Sequence, residues 1–209
     1  SFDPDGVKEV TSQFFIKLQQ AYSFFTMYAN VDGFEYKEND LDYVARPDFD
    51  RWILSELNTL VKDVDAYLND YDPTPAGRLI QSFVVDKLSN WYIRLNKPRF
   101  WSGEMTDDKL SAYQTLYTCL ATVAKLMAPI APFFADQLYL DLNAATGKET
   151  AESVHLAKFP VCNDSLIDKN LEECMQLAQQ SSSMILALRR KAEKKVRQPL
   201  QKAVIPAAD

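Results

Sequence analysis

Glycine and cysteine are scarce in this 209-residue chain, at five and three residues, and there is a single histidine, His155. So few glycines argue against the tight turns of an all-β fold, and neither a GxGxxG nor a GxxxxGK[ST] phosphate-cradling loop occurs. Cys119, Cys162 and Cys174 are odd in number, far apart and without CxxC spacing, so neither a disulfide framework nor a zinc site is indicated. No motif sets an acid or base beside His155, which leaves an enzyme built on it or on a thiol as a remote alternative. No apolar run is long enough to span a bilayer, and the acidic start Ser1-Phe2-Asp3-Pro4-Asp5 has none of the basic and apolar regions of a signal peptide. Reduced thiols and the missing export signal fit a cytoplasmic protein. The missing initiating methionine fits a segment of a longer one.

What is abundant is Leu, Ala, Lys, Glu and Gln, within 47% hydrophobic residues, a composition that favours helix and can bury one substantial core. Val7, Val10, Phe14, Leu18, Ala21, Phe25 and Tyr28 recur at three- and four-residue steps, predicting a helix from about Pro4 to Ala29. Residues 30–45 read as a polar connection. After Arg46-Pro47, the run Phe49 to Tyr71 predicts a second helix, stopped at Asp72-Pro73. Thr74 and Pro75 open a third, with Leu79, Ile80, Phe83, Val84, Leu88, Trp91 and Leu95 as its stripe and Pro98 as its end. Thr106 caps a fourth, with Asp107 and Asp108 in its first turn, running to Met127 and resuming after Pro132.

Residues 153–160 read as extended, a fifth helix follows from about Asp164 to Lys195, and residues 196–206 look like a strand. The economical architecture is all-α: an up-down antiparallel bundle of four to five long helices. Residues 1–195 form the helical domain, and 196–209 begin a C-terminal extension.

A net charge of −6 excludes uniform coating of nucleic acid or an anionic membrane, but the distribution is uneven. Arg94, Lys97 and Arg99 interleave with Trp91, Tyr92, Phe100 and Trp101. Between Met184 and Lys202 the only acid is Glu193, against Arg189, Arg190, Lys191, Lys194, Lys195, Arg197 and Lys202. Residues 190, 194 and 197 of a continuing helix would share one face, as would 191 and 195. Arginines in such settings pair with phosphates, and an exposed tryptophan stacks on an unpaired base. The residues alone also permit a blander account, in which the aromatics are core and the cations complement helix ends. A helical protein-interaction module stays open beside RNA binding.

Several segments together resemble the anticodon-binding region of class I aminoacyl-tRNA synthetases. They are residues 22–34 (Tyr-Ser-Phe-Phe-Thr-Met-Tyr-Ala-Asn-Val-Asp-Gly-Phe), 49–55 (Phe-Asp-Arg-Trp-Ile-Leu-Ser) and 89–94 (Ser-Asn-Trp-Tyr-Ile-Arg), then Arg99-Phe100-Trp101, Met127 to Phe133, Ser153 to Leu156 with Phe159-Pro160, and Val196 to Leu200. The order and spacing cover nearly the whole chain. The phenylalanine-rich segment ending at Phe34 and the Ser153-Val154-His155-Leu156 run tilt the resemblance toward the isoleucyl branch, with the valyl branch its nearest competitor. Gln20 departs from the asparagine of the family.

The resemblance implies a helical bundle that follows a catalytic domain and grips the anticodon stem and loop of a tRNA, here isoleucine-accepting. The implied partners are that tRNA and the catalytic and C-terminal domains of the same chain, in a monomer without membrane contact. Neither catalytic residues nor a cofactor or metal is expected here; the HIGH and KMSKS motifs are absent, and ATP and magnesium belong to the parent's catalytic domain. The opening and the trailing strand fit cuts made after the catalytic region and within the C-terminal part. The RNA-facing residues expected are Arg94, Lys97, Arg99 and Trp101, with Arg189, Arg190, Lys191, Lys194, Lys195 and Arg197, converging into one cradle.

Overall fold

Hydrophobic spacing becomes helix almost everywhere in the computed structural model, which describes residues 4–101, 103–202 and 204. The first amphipathic run forms α1 (Pro4–Val10), a π-helical turn (Thr11–Phe15) and α2 (Ile16–Asp32). Gly33 ends it in the left-handed region at φ 66°, its N–H bonded to the Ala29 carbonyl, where a side chain would be strained. Then come α3 (Asp48–Asn69), α4 (Pro73–Ser82), a π-helical segment (Phe83–Ile93) and α5 (Arg94–Trp101). They are followed by α6 (Asp107–Met127), α7 (Pro132–Thr146) and α8 (Lys169–Lys191). Among the described residues there is no strand.

The chain divides into two compact units, one ending at Ile167 and one starting at Asp168. The division falls inside the stretch that the sequence assigns to one helical domain. In the first unit α3 packs on α4 and the π segment, α6 packs on α7 and α3, and α2 lies against the π segment and α6. Much of the core is what the periodicity selects: Leu18, Phe25, Ile53, Val64, Ile80, Leu88 and Leu120 are all buried. Thr106 caps α6 as expected, its hydroxyl oxygen accepting from the Lys109 N–H, and Pro132 opens α7.

Six expectations are corrected. Asp72, not Thr74, precedes the third long helix, whose first residue is Pro73. That helix does not stop at Pro98 but runs to Trp101, because the two residues after the proline are anchored: Arg99 bonds to Asp50, and the buried Phe100 ring sits 5.0 Å from Phe24 and 4.9 Å from Tyr113. Their anchoring outweighs the helix-breaking tendency of proline.

Residues 153–157 turn rather than extend, since the Asp136 carboxylate accepts from the Ser153 hydroxyl at 2.7 Å and the Val154 N–H at 2.8 Å. The fifth long helix is shorter than expected: a 3-10 turn (Asp164–Leu166) precedes it, Asp168 caps it, and it ends at Lys191 with Glu193 in the left-handed region at φ 53°. No strand follows over residues 196–202; Ala203 and residues 205–206 of the expected strand lie outside the described residues.

The connection between α2 and α3 is a strap rather than a polar linker. Phe34 and Tyr36 are buried, Phe34 stacking on Tyr113 at 4.7 Å and Tyr36 meeting Tyr117 edge-on at 5.1 Å. The Gln114 side chain accepts from the Leu41 N–H and donates to the Asn39 carbonyl, so α6 holds the strap by its backbone.

Candidate nucleic-acid interface

The short helix α5 sorts its side chains by helical geometry. Arg94, Lys97 and Trp101 stand at steps of three and four residues and so share a face, and all three are exposed, Trp101 to 60%. Asn96 and Phe100 on the other side are buried. Arg94 and Lys97 have no hydrogen-bond or ion-pair partner among the described residues, so both charges are available to an anion. The aromatic run divides in the same way: Tyr92 and Phe100 belong to the core, and Trp101 presents its ring outward.

The sequence grouped Arg99 with Arg94 and Lys97; the structure separates it from them. Its guanidinium turns inward and straddles Asp50, with Nη1 2.6 Å from Oδ1 and Nη2 2.9 Å from Oδ2. The Asp50 carboxylate is fully buried and also accepts from the Tyr92 hydroxyl at 2.7 Å and the Ser111 hydroxyl at 2.5 Å. Arg99 further donates from Nε to Asp108 Oδ2 at 2.9 Å, from Nη2 to the Asp108 carbonyl at 2.6 Å and from Nη1 to Asn96 Oδ1 at 3.2 Å. A buried carboxylate needs several donors to remain charged, and this one has a bidentate fork plus two hydroxyls. Arg99 thereby joins the start of α3, the π segment and the start of α6 beneath the exposed face of α5.

A second buried pair lies nearby. Lys109, 1% exposed along its side chain, meets Asp32 at 2.6 Å, and the Tyr113 hydroxyl donates to the same carboxylate. Arg46 completes the inner set, donating to Thr115 Oγ1 at 2.9 Å and Gln114 Oε1 at 3.0 Å. These residues were not singled out from the sequence. An aspartate such as Asp50 on an apolar helix face, close to Trp52 and Ile53, is the signal that a buried partner exists.

In the second unit Arg189 is likewise turned to internal use. Its Nη1 donates to the carbonyls of Lys195 at 2.8 Å and Gln198 at 2.9 Å, folding the following residues back over the end of α8. Arg190, Lys191, Lys194, Lys195 and Arg197 are exposed, with no side-chain partner among the described residues. They do not form the expected helical stripe, because the helix has ended before Lys194. The result is a cationic helix terminus and turn, complementing the negative end of the α8 dipole.

Burial raises the Cys119 thiol well above its ordinary value, which disfavours a nucleophilic thiolate. No group of three or more His, Cys, Asp or Glu residues could hold a metal ion, and no helix is long and apolar enough to cross a membrane, among the described residues.

A helical bundle that presents a small cationic and aromatic face belongs with RNA-binding modules, and comparison with known proteins narrows the class. Residues 50–204 match the family model of the anticodon-binding domain of tRNA ligase, and the chain belongs to that family. Similar curated proteins are the isoleucine–tRNA ligases of Bacteroides thetaiotaomicron, 64% identical over 100% of this chain, and Porphyromonas gingivalis, 60% identical over 100%. That of Clostridium novyi is 44% identical over 98% of the chain. The chain spans 18% of the length of the first two relatives and 20% of the third.

Proposed function

We propose that this chain is the anticodon-binding domain of an isoleucine–tRNA ligase and grips the anticodon stem and loop of an isoleucine-accepting tRNA. Activation of isoleucine with ATP and magnesium, and its transfer to tRNA, would then lie in other domains of the same polypeptide. The observation that carries the reading is the division of α5 into an anchored face and an unpartnered cationic and aromatic face. Arg94 and Lys97 contact phosphates, and Trp101 stacks on a loop base. Arg190, Lys191, Lys194, Lys195 and Arg197 form a second phosphate-contacting patch. Arg99 and Arg189 act one step back, by holding the segments that carry the others. Binding by this chain uses no cofactor or metal, the ligase is a cytoplasmic monomer, and acidic surface elsewhere confines RNA to these patches.

The test is a fluorescence titration of the chain with isoleucine-accepting tRNA at several salt concentrations. The double variant Arg94→Glu/Lys97→Glu lowers affinity and flattens the log–log salt dependence by about 0.7 to 0.9 for each phosphate that is no longer neutralised. Trp101→Ala removes the RNA-induced quenching of that indole and costs about 1–3 kcal/mol of binding. Unchanged affinity and salt slope in the charge-reversed variant defeat the assignment.

A further inference from the structure

Lys158 belongs to neither cationic patch. It is half-buried in the stretch that follows the 153–157 turn, and it has no hydrogen-bond or ion-pair partner among the described residues. An ammonium that loses part of its hydration and gains no counter-charge is held at a cost, and an anion from outside the chain is the partner it lacks.

Its surroundings suit such an anion. Lys158 lines a cavity of about 190 Å³ together with Lys125 and His155; the rest of the wall is apolar, and among the described residues no acid lines it. Lys125 comes from the last turn of α6, where Glu149 Oε1, 2.5 Å away, takes one of its three donors and leaves two. The exposed His155 sits in a turn that is itself fixed, its backbone N–H donating to the Ser153 hydroxyl oxygen at 3.2 Å while Asp136 holds Ser153 and Val154. The carbonyl end of α6 does not call for Lys158, because the N–H groups of Ala128, Ile130 and Ala131 already serve the carbonyls of Lys125 and Met127.

We propose that this cavity binds a phosphoryl group, held by Lys158, Lys125 and His155. Ammonium and imidazole donors without an arginine fork suit the several oxygens of a tetrahedral phosphoryl group better than a planar carboxylate, and the volume is small for a nucleoside attached to it. The site is distinct from the α5 face: Lys125 ends α6 and the Asp108 that bonds Arg99 begins it, so about 25 Å of helix lies between them. Two sources carry the group, a free phosphate compound and an RNA backbone, and the experiment separates them.

His155 is the only histidine, so its imidazole gives a single set of NMR signals. Inorganic phosphate titrated into the chain at fixed pH and ionic strength is expected to move those signals along a saturable curve, and acetate is not. Lys158→Gln weakens phosphate binding about tenfold or more, yet without phosphate it melts within about two degrees of wild type; Lys158→Arg, which keeps the charge, keeps the binding. That contrast separates an anion-binding ammonium from a structural one. The same signals are then followed with tRNA. Movement, with a salt slope that Lys158→Gln flattens by about 0.7 to 0.9, supports the site and names an RNA phosphate as its ligand; signals that phosphate moves and tRNA leaves in place support it and name a free phosphate compound. Signals that neither moves, an equal response to acetate, or an unchanged phosphate titration in Lys158→Gln overturn the proposal. Failure of the RNA reading at α5 shows separately, in the Arg94 and Lys97 variants, and leaves the phosphate titration untouched.

Discussion

Replacing Arg99 by methionine tests whether a cation inside the basic and aromatic run serves RNA or the fold. The change removes a bidentate fork from Asp50, a carboxylate with no solvent exposure, and leaves it, among the described residues, the hydroxyls of Tyr92 and Ser111. Stranding one partner of a buried ion pair costs about 3–5 kcal/mol. For a chain of this size each kcal/mol lowers the melting temperature by about 2–4 °C, so the variant is expected to melt about 6–20 °C below wild type. Solvent screening takes little from this figure, because the Arg99 side chain is only 14% exposed. The sign of the second substitution is the sharper test. Asp50→Asn added to Arg99→Met replaces a stranded anion with a neutral amide, so the double variant is expected to be more stable than Arg99→Met alone. Arg94→Met and Lys97→Met, at exposed sites without partners among the described residues, stay within about 0.5 kcal/mol of wild type. Thermal or denaturant unfolding followed by circular dichroism reads all of these. If Arg99→Met melts like wild type, Asp50→Asn adds an independent cost and tRNA affinity alone suffers, Arg99 is an RNA contact and the clamp does not exist.

High pH offers a different check, because Tyr92 and Tyr113 are both held above the ordinary tyrosine value of 10.0. Burial is the larger cause for each, followed by the Asp50 charge for Tyr92 and the hydrogen bond to Asp32 for Tyr113. The unfolded chain releases these protons near pH 10 and the folded chain keeps them, so their contribution is complete below that value and is lost as pH rises toward the folded-state pKa. Tyrosinate absorbance should therefore rise in a phase that coincides with loss of helix; all ten tyrosines ionising together near pH 10 with the fold intact would contradict this. Asp107 is exposed in the first turn of α6, next in sequence to the Asp108 that bonds Arg99, and unpaired among the described residues; under the proposed function its charge would repel an RNA phosphate bound at α5. Asp107→Asn should tighten tRNA binding about twofold at low salt while costing about 0.3–1 kcal/mol of stability at the helix start, and an unchanged or weaker affinity would place the RNA elsewhere.

Helices with a continuous apolar stripe were legible because their spacing and burial are the same fact. Thr106 with its following acids, and Pro132, marked helix starts through local backbone chemistry that needs no tertiary partner. Pro98 misled for the converse reason: its local preference was outweighed by contacts from Asp50, Phe24 and Tyr113, residues 48, 74 and 15 positions away along the chain. Phe34 and Tyr36 went unread because two aromatics among charged neighbours make no periodic pattern, and only the facing rings of Tyr113 and Tyr117 give them a place.

The candidate interface shows where composition stops and geometry begins. Arg94, Lys97 and Arg99 are equivalent as a charge count, but a helix turns by about 100° per residue, so a cation two positions after Lys97 must face away from it. That rotation sends Arg99 toward α3, and the carboxylate waiting there is legible only as an oddity, an aspartate within an otherwise apolar face. Had the sequence been read by helical phase from Tyr92 and Phe100, the inward position of Arg99 would have required a buried acid, and Asp50 would have been its natural partner. The same phase leaves Arg94, Lys97 and Trp101 together on the outside. The pattern that specifies the core therefore also specifies which cations remain at the surface.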